Sequence, residues 1–147
     1  MNNPPSHLSK LLSAQATGSK KRILVVDDEE FVCNLITKVL SRHLGLEVET
    51  ARDGGAAIAA TLAGRYDGAI INLVLPRTSG LEAIRTIKTM LPRFPIIAMS
   101  TAVSGRSLKS IEKFGVTAIL FKPFKMADLI DKVNGIWGAD KRVSDPK

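Results

Sequence analysis

The sequence predicts a doubly wound α/β domain, a five-stranded parallel sheet with five helices. Three observations point there. Short apolar runs of strand length alternate five times with stretches whose apolar residues recur at helical spacing. Such alternation places parallel strands between two layers of helices, joined by right-handed crossovers. Polar side chains then fall at the carboxyl ends of four of the runs, where sheets of this kind keep their sites.

The elements follow in chain order. Residues 1–20 are rich in Asn, Pro, Ser, Ala and Gly and are expected to form a flexible tail. Within it Leu8, Leu11 and Leu12 allow one weak helical turn. "RILVV" from Arg22 is a β-branched run and reads as a buried strand. "DDEE" follows, and its charge suits the positive end of a helix dipole. Phe31, Val32, Leu35, Ile36, Val39 and Leu40 then line one helical face. "GLEVETA" alternates like a second strand. "DGGAAIAATLAG" is a short helix with Asp53 as its N-cap and Gly64 as its stop.

"YDGAIINLVL" is the third strand. A third helix starts near Gly80, with Leu81, Ile84, Ile87 and Leu91 on one face. "PIIAMS" is strand four, and "SGRSLKSIEKF" a weaker helix ended by Gly115. "TAILF" is strand five, stopped by Pro123. The last helix runs from about Lys125 to Trp137, with Met126, Leu129, Ile130, Val133 and Trp137 facing inward. The folded unit is expected over residues 21–138, with a C-terminal tail at 139–147.

Composition narrows the class. A chain of 147 residues, 45% hydrophobic, fits one domain with a real core. One Trp and one Tyr make that core mainly aliphatic. The single Cys33 rules out an internal disulfide and reads as a small core residue. No apolar run approaches the ~20 residues of a membrane helix. The N-terminus lacks the order of a secretory signal, so a cytoplasmic location is expected. The formal charge is +7, yet residues 1–22 supply +4 of it and residues 139–147 another +1. The folded part is nearly balanced. The basic tail has no interleaved aromatics and reads as solubilising. Tail-mediated nucleic-acid binding is a competing function, marked by salt-dependent affinity that disappears with residues 1–20.

The strand ends carry Asp27 and Asp28, Asn72, Ser100 and Lys122. Paired carboxylates suit a hard divalent cation such as magnesium, which keeps several waters. An ammonium and a hydroxyl beside it would hold an anion, and a phosphoryl group satisfies all three.

At these residues the sequence resembles the receiver domain of two-component response regulators, from about Lys21 to Trp137. "ILVVDDEE", "LPRTSGLEAI", "PIIAMSTA" and "GVTAILFKPF" carry the resemblance. It implies that the aspartate four residues before the loop proline accepts a phosphoryl group from a histidine kinase. Four residues before Pro76 stands Asn72. An amide has no anionic oxygen and is a poor nucleophile. The resemblance further implies Asp28 as direct magnesium ligand, Asp27 acting through water, and the Val74 carbonyl and Asn72 amide oxygen as further ligands. Ser100 and Lys122 would contact the phosphoryl group. Lys122–Pro123 would be a cis peptide. Ile119 stands where the family often has an aromatic switch residue, which departs from the usual coupling.

A phosphorylation-independent signalling module, not an enzyme, is therefore expected. Two origins of Asn72 stay open: a natural atypical receiver, or an ordinary one whose Asp was replaced. About ten residues follow Trp137, too few for a helix-turn-helix, so a stand-alone module is expected. Its partner would be a histidine kinase or another signalling protein, or a second copy in a homodimer. Docking would use the face of helix four, strand five and helix five, where Arg106, Lys109, Lys113, Lys122, Lys125 and Lys132 favour an acidic surface. Two enzyme classes fit less well. A haloacid-dehalogenase-like phosphatase needs Asp where Glu29 stands, and a flavodoxin-like phosphate loop would be repelled by "DDEE".

Overall fold

The structure, a computed structural model, describes residues 20–101 and 105–138. The two expected tails lie outside them, Lys20 excepted. Five strands, β1 (Arg22–Val26), β2 (Glu47–Ala51), β3 (Gly68–Asn72), β4 (Ile96–Ser100) and β5 (Ala118–Phe121), form one parallel sheet in the order β2-β1-β3-β4-β5. The helices between and after them are α1 (Glu30–Leu44), α2 (Gly54–Leu62), α3 (Gly80–Met90), α4 (Gly105–Lys113) and α5 (Met126–Trp137).

The central strands are apolar without a break because both faces of the sheet are covered. Ile23, Val25, Ile70, Ile97 and Met99 point to one side, where Cys33, Ile36, Leu40, Leu129 and Val133 of α1 and α5 meet them. Leu24, Val26, Ala69, Ile71, Ile96 and Ala98 point to the other, against Ala57, Ile84, Ile87 and Ile111 of α2, α3 and α4. The strand period of two thus sorts one run of residues into two cores. Trp137 ties the last helix down, its indole N–H donating to the Asp67 carbonyl at 3.2 Å. β2 is an edge strand and is far less buried, with Glu47, Glu49 and Thr50 exposed. Arg22 pairs with Glu47 and Glu49, and the Tyr66 hydroxyl donates to Glu49 at 2.5 Å. That bond and the nearby arginine act against desolvation. The first of them does most to hold the Glu49 carboxyl below its usual range.

Two inward placements fail. Phe31 is 76% exposed and Met126 38% exposed. Both sit in the first turn of their helix, past the end of the strands that would cover them. Cys33, not Phe31, heads the buried stripe of α1, and Ala83 joins Ile84 and Ile87 on α3. The helix signals otherwise act as expected. Asp53 caps α2 by accepting from the Ala56 N–H at 2.8 Å, and Gly115 takes a positive φ after α4.

Gly80 opens α3 directly beneath β3. A Cβ there would lie 1.8 Å from the Asn72 carbonyl oxygen and 2.7 Å from its carbon, both rigid backbone. Its N–H donates to the Leu73 carbonyl at 2.9 Å, closing the turn. Gly80→Ala is therefore expected to cost about 3 kcal/mol, as overpacking against backbone does. Urea denaturation of the two forms measures it.

Candidate functional site

Parallel strands end on one edge, so residues far apart in sequence converge there. Asp27 follows β1 directly and is fully buried. Its N–H donates to the Ala51 carbonyl of β2 at 3.1 Å, which extends the ladder by one residue. One carboxylate oxygen accepts the Glu29 N–H at 2.9 Å, at the entrance to α1. The other accepts the Lys122 ammonium, also at 2.9 Å. Lys122 comes from the turn after β5, three strands away in the sheet, and only 14% of its side chain is exposed. Both oxygens of the buried acid are thus engaged. Asp28, by contrast, is exposed.

Asn72 ends β3 and is 7% exposed. Its amide N–H donates to the Val74 carbonyl at 2.9 Å. This sets the character of the site. The carbonyl that the resemblance offers to a cation accepts here from a donor that a carboxylate could not supply. Ser100 is buried at the end of β4, and its carbonyl accepts the Lys122 N–H at 2.8 Å. Ile119 packs partly buried against the core on the α2–α3–α4 side. Lys122–Pro123 is cis.

Asp27, Asn72, Ser100 and Lys122 all lie at this one edge of the sheet. Lys122 is the correction. It does not belong to the exposed basic face, because its ammonium is turned inward onto Asp27. Lys109, Lys113 and Lys125 remain exposed there.

The sequence reading missed the clamp beneath the site loop. Arg77 has a positive φ of 59° and its guanidinium lies 2.7 Å from Asp53. The Gly54 N–H donates to the Thr78 carbonyl at 3.1 Å, and a Cβ on Gly54 would lie 2.3 Å from that oxygen. The Ala56 N–H first, and Arg77 second, hold the Asp53 carboxyl below its usual range. "PRTSG" offered a weak signal: the residue after the loop proline often needs the left-handed region that glycine supplies. Cys33 was placed correctly in the core. Its Sγ–H donates to the Asp27 carbonyl at 3.3 Å, and burial first, then the Asp27 charge, pushes its pKa up.

The fold and the site edge define a domain of the signalling-receiver class. The family model for the response regulator receiver domain matches residues 23–134, and the chain belongs to that family. It is 30% identical over 115 residues to the transcription factor SKN7 of Chaetomium thermophilum, covering 77% of this chain and 15% of that protein. It is 29% identical over 128 residues to the transcriptional regulatory protein TcrX of Mycobacterium tuberculosis, covering 83% of this chain and 52% of that one. Among solved structures, the Vibrio cholerae chemotaxis protein CheY4 superposes with a TM-score of 0.74 at 27% identity, over 80% of this chain and 99% of that one. The chain spans about half or less of the length of these two curated relatives. Receiver domains act with histidine kinases and other signalling proteins, and typically bind magnesium at the acidic pocket. Among the described residues no helix is long and apolar enough to cross a membrane.

The donor set fits magnesium only in part. Its oxygens are hard, as that ion needs. Yet Asn72 brings no charge, and the Val74 carbonyl already holds a proton donor. Among the described residues, no group of three or more His, Cys, Asp or Glu side chains could hold a metal ion.

Two outcomes follow from this geometry. Lys122→Met leaves the buried Asp27 carboxylate without its cation. Removing one partner of a buried pair costs about 3 kcal/mol, and adding Asp27→Asn should restore much of the loss. Chemical denaturation of the single and double variants measures both. Asn72→Asp brings a third carboxylate beside Asp27 and Asp28 and removes the amide donor. In chelator it should be less stable by about 1 kcal/mol. Excess magnesium should narrow the gap, because a cation that binds only the folded state stabilises it. A higher melting temperature for the Asp form in chelator would show that carboxylate repulsion does not govern the site.

Proposed function

We propose that this receiver domain is a binding module that signals without accepting a phosphoryl group. The observation that carries the reading is Asn72 at the acceptor position, with its amide N–H on the Val74 carbonyl. Phosphoryl transfer to a receiver needs an anionic oxygen at that point to attack phosphorus, and a neutral amide does not supply it. The neighbouring Thr78 and Ser79 offer hydroxyls, but among the described residues no basic side chain hydrogen-bonds to either. The Ser79 hydroxyl instead caps α3, accepting the Glu82 N–H at 3.1 Å. The domain is not an enzyme in this reading.

Magnesium, when bound, would supply positive charge at the pocket. Asp28 and water-mediated Asp27 would hold it more weakly than in Asn72→Asp. The docking partner would be another signalling protein, with α4, β5 and α5 as its platform. There Phe121 is 40% exposed, and Lys109, Lys113 and Lys125 on the same elements or beside them are exposed, a combination that suits an acidic surface with an apolar part. A homodimer through the same platform is the alternative occupant.

The test is intact-mass analysis after incubation with acetyl phosphate and magnesium. The native chain should gain no phosphoryl group, while Asn72→Asp should gain one. A gain in the native chain that maps to residues 72–80 would overturn the reading and restore an ordinary phospho-accepting regulator.

A further inference from the structure

Away from the site edge, at the opposite ends of the strands, the surface has a cleft of about 480 Å³. It lies between the end of α2 and the end of α3, lined by Thr61, Tyr66, Met90, Leu91 and Phe94, with exposed Arg93 beside them. Met90 is 59% exposed. Thr61 is 1% exposed and its hydroxyl has no hydrogen-bond partner, so a polar group in the cleft wall is left unmet. The helix leading into the cleft is unusual too. α2 carries no charged residue, and its outer face presents Ala56, Ala59 and Leu62 to solvent. A surface helix ordinarily turns a polar face outward. Together they make an apolar strip that ends in a hollow.

The way the chain enters the fold indicates what fills it. β1 starts beside the cleft. The Arg22 guanidinium sits 5.6 Å over the ring of Tyr66, and the Arg22 N–H donates to Asp67 at 2.8 Å. Leu8, Leu11 and Leu12 precede it at i, i+3 and i+4, the spacing of one apolar helical face. Residues 13–19, "SAQATGS", separate them from Lys20. Seven residues reach up to about 24 Å when extended, enough to pass Tyr66 and return over the cleft. On such a turn Lys10 falls opposite the leucines and does not meet Arg93. A segment this short is not a stable helix alone in water, so docking would have to order it. Tethering makes that docking intramolecular, with a high effective concentration.

We propose that residues 7–13 seat as a helical turn in this cleft, with Leu8, Leu11 and Leu12 against Met90, Leu91 and Phe94. The inference is independent of whether the domain takes a phosphoryl group. The test uses the full chain carrying Ser13→Cys with a nitroxide attached; buried Cys33 stays in place, and mass analysis confirms a single label. The expected result is a several-fold loss of amide intensity at Tyr66, Met90 and Phe94 in the oxidised against the reduced label, with Val133 unchanged. Adding Leu8→Ser and Leu11→Ser should restore the intensity. Three results would overturn the proposal. One is no loss at the cleft. Another is loss that persists without the leucines. The third is loss in isotope-labelled, unspin-labelled chains mixed with spin-labelled ones, which would mean a second copy's segment occupies the cleft.

Discussion

One carboxylate organises the site edge. Asp27 is fully buried, and a buried charge is tolerated only when its oxygens are met. The Glu29 N–H meets one and fixes how the chain turns from β1 into α1. The Lys122 ammonium meets the other and draws the turn after β5 back across the sheet edge. That turn contains the cis Lys122–Pro123 peptide, and its N–H is held by the Ser100 carbonyl. The ends of β1, β4 and β5 are thus fastened around a single acidic group. The loop after β3 is fastened separately, by Gly54 on Thr78 and Arg77 on Asp53. Asn72 stands on the sheet edge between these two anchored regions.

The amide alters how that edge is wired. A carboxylate at position 72 would compete for Lys122 and would face outward as an acceptor only. Asn72 has a donor, and it turns that donor onto the Val74 carbonyl of its own loop. The lysine is left wholly to Asp27. With Asn72 the site carries one negative charge fewer than it would with a carboxylate there.

Much of this was legible in the sequence, for reasons tied to particular residues. Strand runs such as "ILVV" and "AIIN" announce burial on two faces, and parallel order then forces Asp27, Asn72, Ser100 and Lys122 to one edge. Asp53 announces a cap, and Lys122–Pro123 matched the family's cis peptide. What was hidden depends on direction. Periodicity placed Phe31 and Met126 on inward faces, but a first helical turn overhangs the sheet and finds no cover. Residue type marked Lys122 as basic, but only packing shows whether an ammonium faces solvent or a buried acid. The clamp of Arg77 on Asp53 joins residues 24 positions apart, and nothing local signals it.

The edge strand has a consequence for assembly. β2 leaves one row of backbone groups unpaired at the side of the sheet. Its exposed side chains are Glu47, Glu49 and Thr50, braced by Arg22 and Tyr66. Charged side chains along an open edge oppose the addition of another strand. At the far edge β5 is only four residues long and runs straight into Pro123, which has no N–H to offer a further strand. Neither border is a good template for growth into fibrils, so crowding this protein should drive it toward helix-mediated contacts and leave the sheet at five strands.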